Sequence, residues 1–576
     1  MKNSRLLNQI VGGSYEADER IAGCAVSQNL YAESVEEASN GSYYTTALRS
    51  VDGERVVLSD FVDGDGAKGC RGMFTASDES IFAAFGEAVY RISKNIVSGE
   101  YSATEIYREQ LPTTGPVRFC ETGGINSHIC WVDGTDSVKA YPISPEKAEA
   151  LGMKPPFSFN TPLRQYKTAD QIKNESEQHV MPDQICSLNG SLIINDPESD
   201  TWYYTDAYIL GGTTYKREVY DLKNGNVQYQ GDSYTIKTKT VDLTENDTTS
   251  VTSYLWLDRY SKPNFMTAEY SADKMTGICV SGDFLFVFGS RSIQIYNQTT
   301  STDAQGFSSM VFSSTGRNIR DLGCVNPSTI TELNQNVIFL GASSRGERSI
   351  WATSGGAPVR ISTNAIERQI DGVFTEDCYS FGYISNGHQF YGISFPSIRK
   401  TFVYDFATRQ WHNRATQNAN GFMLNWWGRF VCYSSGDIVI ASSDEDIIAV
   451  FDKKKFDDYK GNPIIKQRTA PILTSDYAPF IVNDMQLLWN TGTTNDVTNE
   501  NGARNPVVML EVSTDGGNTF GSERWAYGGQ TGNYAQRTIW YGIGSGTLFV
   551  FRITISARVN VVITGAKFNY TTLSHF

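Results

Sequence analysis

The chain has 576 residues with 49 basic and 63 acidic side chains, which gives a formal charge of −14. An acidic chain without a block of lysine or arginine gains no net attraction to nucleic acid, so the composition argues against sequence-specific reading of DNA. The first residues lack the apolar core of a signal peptide and no apolar run reaches about 18 residues, so we expect no membrane insertion.

Glycine (51), tyrosine (31) and phenylalanine (30) are abundant, while only 19% of the residues are charged. This composition indicates many short strands joined by tight turns. The nine cysteines are scattered, and none belongs to a CxxC pair. We therefore expect small buried thiols in a protein made in a reducing cytoplasm.

A short module recurs along the chain: an apolar strand, a polar tight turn and a second apolar strand. Its spacing of about 40–70 residues overlaps the spacing of propeller blades. From Phe402 to Trp411, a strand, an Asp turn and a returning Trp resemble the outer edge of a kelch-like blade. We therefore predict a propeller, with a meander or a sandwich as the alternative. The clearest copies of the module span residues 80–92, 128–141, 191–204, 283–296, 337–351, 389–405 and 429–452.

The predicted fold class is all-β: a β-propeller with inserted β-rich or loop subdomains, few short helices and a C-terminal β unit. The propeller would span residues 1–465, with a helical insertion over residues 143–182 and a β-rich insertion over residues 206–275. Residues 466–576 would form a separate sandwich or the closing blade. Short helices are predicted at residues 147–151, which have an N-cap serine before them and a glycine after them, at residues 168–178 and at residues 363–370.

Near the C-terminus, an alternating apolar strand leads into the sequence Asp-Gly-Gly-Asn at residues 515–518. The glycines allow positive φ, and the Asp and Asn side chains can bond the turn backbone, so we predict a hairpin. The pattern is similar to the Asp-box turn of propeller proteins, in which it stabilises a hairpin. The residues that carry this pattern are Ser513, Asp515, Gly517, Thr519 and Phe520.

Motifs that would indicate an enzyme or a metal site are weak in this sequence. Residues 64–69 match G-x-G-x-x-G, but a strand pattern follows where dinucleotide binding needs a long helix, so we predict a turn. The five histidines are dispersed, and the acidic run 444–446 is more typical of a solvated turn than of a general acid/base pair. We therefore expect no catalytic residue, no cofactor and no metal site.

Several stretches resemble, in the same order, the tail-hub (nozzle) proteins of short-tailed bacteriophages, also called packaged-DNA stabilisation proteins. The chain departs from that pattern at Leu30, where Met is usual, and at Asp52, where Pro is usual. The order of the stretches along the chain carries the resemblance. They are residues 24–33, 47–53, 281–296, 349–367 and the C-terminal run from Leu510 through Arg524-Trp525 to residues 563–566.

This resemblance implies a subunit of the virion tail, made in the host cytoplasm, that assembles as a homo-oligomeric ring of six below the portal and adaptor rings. Such a ring would extend the DNA channel, help to retain the packaged DNA, and support tail fibres or spikes and the distal plug or needle. Six copies would carry six times −14, or −84, formal charges, so we predict an acidic channel that does not hold DNA. Trp202, Tyr203 and Tyr204 are candidate interface residues, with core packing as the alternative for each.

Two alternatives stay open: a propeller adhesin that binds glycans, and a sialidase-like glycosidase. Sialidase propellers usually carry several Asp boxes, whereas this chain has one clear copy. A sialidase also needs three arginines that converge on a carboxylate, a tyrosine nucleophile and a glutamate partner, and the sequence has no recognisable local signature for them. We therefore expect a protein that is not an enzyme.

Overall fold

A computed structural model describes residues 3–34, 46–63, 68–108, 111–112, 114–123, 127–144, 157–164, 178–205, 216–220, 238–242, 256, 264–268, 273–302, 308–343, 345–418, 420–492 and 504–573. The contacts divide the chain into two compact units. The first unit comprises residues 1–56, 361–429 and 449–576, and the second comprises residues 57–360 and 430–448.

Strands dominate both units. The strands up to residue 107 are β1 (Asn3–Leu6), β2 (Tyr15–Glu16), β3 (Cys24–Gln28), β4 (Leu30–Ser34), β5 (Thr46–Ser50), β6 (Gly53–Ser59), β7 (Cys70–Thr75), β8 (Ile81–Phe85), β9 (Ala88–Lys94) and β10 (Tyr101–Tyr107). Those up to residue 302 are β11 (Arg118–Glu121), β12 (His128–Val132), β13 (Ser137–Pro142), β14 (Phe157–Asn160), β15 (Ile185–Leu188), β16 (Ser191–Asn195), β17 (Thr201–Tyr204), β18 (Lys216–Tyr220), β19 (Thr238–Asp242), β20 (Phe265–Thr267), β21 (Met275–Ser281), β22 (Phe284–Gly289) and β23 (Ser292–Thr302).

The next strands are β24 (Ser308–Ser314), β25 (Ile319–Arg320), β26 (Leu322–Cys324), β27 (Thr331–Leu333), β28 (Asn336–Ser343), β29 (Arg348–Thr353), β30 (Val359–Arg360), β31 (Tyr379–Ser385), β32 (His388–Phe395), β33 (Lys400–Asp405), β34 (Gln410–Gln417) and β35 (Met423–Asn425). The last are β36 (Phe430–Ser434), β37 (Asp437–Ala441), β38 (Ile447–Asp452), β39 (Lys466–Thr469), β40 (Phe480–Trp489), β41 (Val507–Ser513), β42 (Arg524–Tyr527), β43 (Thr538–Gly546), β44 (Val550–Ile555) and β45 (Val562–Thr572).

The described helices are short. Helix α1 (Asn364–Ile370) begins after Thr363, whose hydroxyl accepts a hydrogen bond from the backbone N–H of Ile366. This confirms the helix predicted at residues 363–370. The predicted helices at residues 147–151 and 168–178 lie outside the described residues, apart from position 178. Single-turn 3-10 helices span Asn8–Ile10, Arg20–Ala22, Pro327–Thr329 and Pro396–Ile398.

The second unit is a series of antiparallel sheets, each formed by strands that follow one another in the chain. Their strand orders are β10-β9-β8-β7, β11-β12-β13-β14, β15-β16-β17-β20, β21-β22-β23-β24 with β25 also on β23, and β26-β28-β29-β30 with β27 also on β28. This repetition is the pattern of propeller blades, and it confirms the predicted hairpin modules of this unit. In the predicted β-rich insertion at residues 206–275, most of which lies outside the described residues, β18 pairs with β19 and β20 pairs with β17.

Strand β36, which pairs with β37, contacts β7. The first strands of the successive sheets also lie beside one another, since β7 contacts β11, β11 contacts β15 and β15 contacts β21. Strands that converge in this way have little room between them, so small side chains are favoured there. Cysteine occupies one position on each of these strands. The residues concerned are Cys432, Cys70, Cys120, Cys186 and Cys279. Seven of the chain's nine cysteines are buried and all nine are free thiols, as the sequence predicted.

The first unit contains two large sheets that share one hydrophobic core. One sheet has the order β4-β5-β45-β40-β43, with β1 also on β45. The other has the order β31-β32-β33-β34-β3-β39-β44-β41-β42, with β2 on β3 and β35 on β34. Leu48, Phe480 and Trp540 from the first sheet pack with Leu510 and Phe551 from the second. Two sheets face to face over a common core form a β-sandwich.

Strands from the N-terminal part of the chain also pair with strands of this sandwich. Strand β1 pairs with β45 and β5 also pairs with β45, while β3 lies between β34 and β39. The hairpin pattern of the sequence reveals only pairs that are close in the chain. Pairing between strands about 500 residues apart leaves no such local signal.

Candidate assembly surface

The predicted turn at residues 513–520 is held by a closed set of hydrogen bonds. The Ser513 hydroxyl donates to Asp515 Oδ1 at 2.6 Å and accepts from the backbone N–H of Gly517 at 2.8 Å. Asp515 accepts from the backbone N–H of Thr519 at 3.0 Å and from its hydroxyl at 2.6 Å. Gly517 has φ of 94°, which favours glycine. The hydrogen bonds from Ser513 and Thr519 lower the pKa of Asp515.

The last residue of this turn pattern, Phe520, packs against an arginine that the sequence did not single out. The guanidinium carbon of Arg552 lies 3.7 Å from the centre of the Phe520 ring, and its Nε donates to Glu511 Oε2 at 2.7 Å. Glu511 and Arg552 are paired across β41 and β44. The turn is therefore anchored to the outer side of the sheet, and it has a structural role in the sandwich.

Next to this turn, the outer side of the sheet presents two exposed aromatic side chains beside two half-buried apolar ones, a group that we call the aromatic face: Val507, Met509, Trp525 and Tyr527. Met509 is paired with Trp525 and Val507 with Tyr527 across β41 and β42. The two aromatic residues are 70% and 62% exposed. Val508 and Leu510, which alternate with them on β41, are buried in the core. Exposed apolar groups of this kind mark interaction surfaces, and Trp and Tyr are enriched among the residues that dominate binding.

Strand β42 ends its sheet, but its free edge is covered by contacts with β43. The Arg524 guanidinium donates to the carbonyl oxygens of Gly542 and Ile543, at 2.6 and 3.1 Å, and the Trp540 indole N–H donates to the carbonyl of Arg524 at 2.8 Å. The Trp525 indole N–H donates to Glu523 Oε2 at 3.2 Å, which leaves the ring face open. A partner would therefore contact the side chains of the aromatic face, and strand addition at this edge is disfavoured.

The three aromatic residues proposed as interface contacts from the sequence lie in the interior of the second unit. Trp202 and Tyr203 are fully buried and Tyr204 is 8% exposed. The Trp202 ring contacts the rings of Tyr296 and Phe312 edge-on, at 5.2 and 5.1 Å. The core-packing alternative therefore holds for these residues, because neighbouring sheets cover both faces of β17. The sequence marks an aromatic strand but not whether a second sheet covers it.

Polar groups of the first unit that could suggest catalysis are engaged in internal contacts. His388 Nδ1 lies 2.8 Å from Asp405 Oδ2, and this hydrogen bond raises the pKa of His388. Asp405 also accepts from the Thr408 hydroxyl at 2.7 Å and the Ala407 N–H at 2.9 Å. His412 is buried, and burial lowers its pKa to about 3. The His388–Asp405 pair is buried within the unit, so we assign it a structural role.

The G-x-G-x-x-G stretch falls partly outside the described residues, which resume at Lys68. The strand β7 follows it, as predicted, and Gly69 is required by packing, since a Cβ there would lie 1.7 Å from the carbonyl oxygen of Ser443. In the described part of the chain, no three His, Cys, Asp or Glu side chains group as metal ligands do. Among the described helices, none is long and apolar enough to span a membrane.

Repeated antiparallel sheets followed by a two-sheet sandwich define the class of this protein: a β-propeller with an added β-sandwich. The family described as Bacteriophage P22 Gp10, beta-propeller, matches residues 177–455, and the family described as Bacteriophage P22 Gp10, beta-sandwich, matches residues 466–571. The chain belongs to the family of P22 Gp10, the tail-hub or packaged-DNA stabilisation proteins. It is therefore a structural protein of a bacteriophage tail, which confirms the family, fold class and general role expected from the sequence.

Other similarities are distant. No curated protein matches the sequence. Solved structures that resemble the chain include the extracellular domain of BT4673 from B. thetaiotaomicron, described as a hybrid two-component system (10% identity, 77% of this chain, 44% of that chain, TM-score 0.34). Others are the computationally designed Ika8 protein (8%, 78%, 100%, 0.31) and BBS1N in complex with ARL6DN (10%, 69%, 98%, 0.33). The chain spans less than half the length of the BT4673 domain, and these TM-scores are too low to bear on function.

Proposed function

We propose that this chain forms the tail hub, or nozzle, as a ring of identical subunits in which each copy contacts the next through its aromatic face. The observation that carries the proposal is the exposure of Trp525 and Tyr527 on a sheet beside a hydrogen-bonded turn. Side chains of this type, left uncovered in one subunit, gain the most when a partner removes them from water.

A ring also needs an interface that overcomes charge repulsion. Each copy carries a formal charge of −14, so copies repel one another at long range. The aromatic face itself consists of uncharged residues. Of the two acids beside it, Glu511 is paired with Arg552 at 2.7 Å, and Glu523 accepts the hydrogen bond of the Trp525 indole N–H at 3.2 Å. A closed ring requires a head-to-tail contact, in which this face of one copy meets a different surface of the next.

In the proposed assembly the ring holds six subunits below the portal and adaptor rings and extends the DNA channel. It retains the packaged DNA and supports the fibres or spikes and the plug or needle. The acidic balance of the chain supports a channel wall that repels the DNA backbone. The protein acts in this proposal without enzymatic activity. The hydrogen-bonded role of the Asp515 turn supports that view, because the carboxylate is already satisfied by the residues of its own turn.

The experiment is reconstitution of the purified chain with a purified portal–adaptor complex, followed by electron microscopy. We expect a six-membered ring bound at the adaptor end, with acidic side chains along its channel. A chain that stays unbound at micromolar concentrations of both partners would contradict the tail-hub role. A channel lined by lysine and arginine would contradict the proposed relation to DNA.

A further inference from the structure

A polar cavity of about 300 Å³ lies in the first unit, in a part of the fold that neither the turn nor the aromatic face involves. Its walls come from the β4–β5 hairpin, the tight turn between β31 and β32, the segment after β38 and the loop before β45. This volume is at the lower end of the range for small-molecule sites, and it suits a ligand of about one sugar ring.

The charges around the cavity cancel. Glu33 and Asp52 contribute two carboxylates, and Arg49 and Lys453 contribute two cations. Arg49 Nε donates to Glu33 Oε2 at 2.8 Å, so the guanidinium of Arg49 is already paired with a carboxylate. A phosphate, a free carboxylate or a metal ion would need an excess of the opposite charge. The cavity therefore favours a neutral ligand.

The remaining groups suit a ligand with many hydroxyls. The side-chain amides of Asn386 and Asn560 can each donate and accept, and the carboxylates of Glu33 and Asp52 accept. Neighbouring hydroxyls of a sugar both donate and accept, so side-chain amides and carboxylates can form hydrogen bonds with two of them at once. The Phe456 ring adds an apolar wall of the type that packs against the C–H face of a sugar ring.

The walls of the cavity are held in place by contacts within the unit. Gly53 N–H donates to the carbonyl of Lys455 at 3.1 Å, and a Cβ at Gly53 would lie 2.3 Å from that oxygen. Lys453 Nζ donates to Asn386 Oδ1 at 2.6 Å. The Ser50 hydroxyl donates to Asn560 Oδ1 at 3.2 Å. A site with fixed walls loses little conformational entropy on binding.

We propose that this cavity binds one unit of a neutral saccharide, with Asp52, Asn386 and Asn560 bonding its hydroxyls and Phe456 packing against its ring. Sialic acid is disfavoured because its carboxylate needs uncommitted arginines, whereas Arg49 is engaged by Glu33. Burial raises the pKa of Asp52, so a hydrogen-bond donor from a ligand would stabilise its charged form. The proposal does not depend on ring assembly.

The test is saturation-transfer NMR on the purified full-length chain. The probes are D-glucose, D-galactose and N-acetylglucosamine, each as the free sugar and as the methyl glycoside, with N-acetylneuraminic acid and inorganic phosphate as charged probes. We expect at least one neutral sugar to bind and neither charged probe to bind. Preference for the methyl glycoside would identify a glycan chain as the source of the ligand, whereas preference for the free form would identify a free sugar. Both results would support the saccharide site.

Variants locate the binding. Asp52→Asn and Asn560→Ala should each weaken the affinity of that sugar about fivefold or more, the effect of losing one hydrogen bond. Asp283→Asn, an exposed acid in a turn of the second unit, should leave it unchanged. A thermal melt of each variant confirms folding. The proposal would be overturned if no neutral sugar bound or if a charged probe bound in preference. It would also be overturned if the folded Asp52→Asn and Asn560→Ala variants bound the sugar as tightly as the parent chain does. None of these results would alter the outcome of portal–adaptor reconstitution.

Discussion

Arg468 Nε donates a hydrogen bond to the backbone carbonyl of Ile10 at 2.6 Å, across a separation of 458 residues. The same guanidinium donates to the carbonyls of Gly13 and Gln9, at 3.0 and 3.3 Å, and to the hydroxyl of Ser27 at 2.9 Å. Burial lowers the pKa of Arg468 to about 10. This one side chain fastens the N-terminal segment to the strand that begins the C-terminal part of the sandwich.

Replacement of this arginine tests the role of the N-terminal strands in the sandwich. Lysine retains the charge but cannot donate in several fixed directions, so Arg468→Lys should lower the free energy of unfolding by about 2–4 kcal/mol. Chemical unfolding followed by tryptophan fluorescence measures the change. Arg345→Lys, at an exposed position of the second unit, is the matched control and should stay within about 0.5 kcal/mol of the parent chain. An Arg468→Lys variant as stable as this control would show that the N-terminal segment is not held in this way.

The Asp515 turn predicts a stability effect that depends on pH. Asp515→Asn should cost about 1 kcal/mol at neutral pH, because the charged acceptor of two hydrogen bonds from Thr519 is lost. The pKa of Asp515 is lowered in the fold, so its contribution is present above the pKa of the unfolded chain, about 3.9, and is lost as pH falls through the folded pKa. Melting temperatures of the two proteins should therefore converge in acid. A difference that stays constant down to acid pH would contradict this account.

Much of the local structure is predictable from the sequence, because the alternating residues of a hairpin and its turn residues lie within one short stretch of the chain. The alternating strand before Asp515 and the N-cap at Thr363 are examples in which neighbouring residues supply all the information. Neither Arg468 nor Arg552 carries such a signal, since their partners are distant in sequence. The sequence also does not show whether Trp202 is buried or exposed, because a tryptophan suits a core and an interface equally. Its contacts with Tyr296 and Phe312 in the structure show that it is buried.

Lys466 is a buried cation whose removal should stabilise the protein. Burial lowers its pKa to about 7, and its Nζ donates to the carbonyl of Ala557 at 3.0 Å. Lys466→Met removes the cost of burying the ammonium but leaves that carbonyl without its donor, so we expect a net gain of about 1–3 kcal/mol at neutral pH. Lys454→Met, at an exposed position, is the control and should change little.

The contribution of Lys466 to stability depends on pH, because its pKa is lower in the folded chain than in the unfolded chain. The folded pKa lies below the unfolded value of 10.5, so the unfolded chain binds more protons between about pH 7 and 10.5. The free energy of unfolding of the parent chain should therefore gain a rising contribution from Lys466 over this range. Lys466→Met should lack that rise. Parallel pH profiles for the two proteins would contradict burial of a cation at this position.

The most direct test of the central claim is the mass in solution of the parent chain and of the double variant Trp525→Ala/Tyr527→Ala, by light scattering with and without the portal–adaptor complex. We predict that the parent chain forms rings, alone or on that complex, and that the double variant stays monomeric while it melts at the parent temperature. Phe422→Ala, which removes an aromatic side chain that is 64% exposed elsewhere, should assemble like the parent. Unchanged assembly of the double variant, or a parent chain that stays monomeric with and without the complex, would contradict the claim.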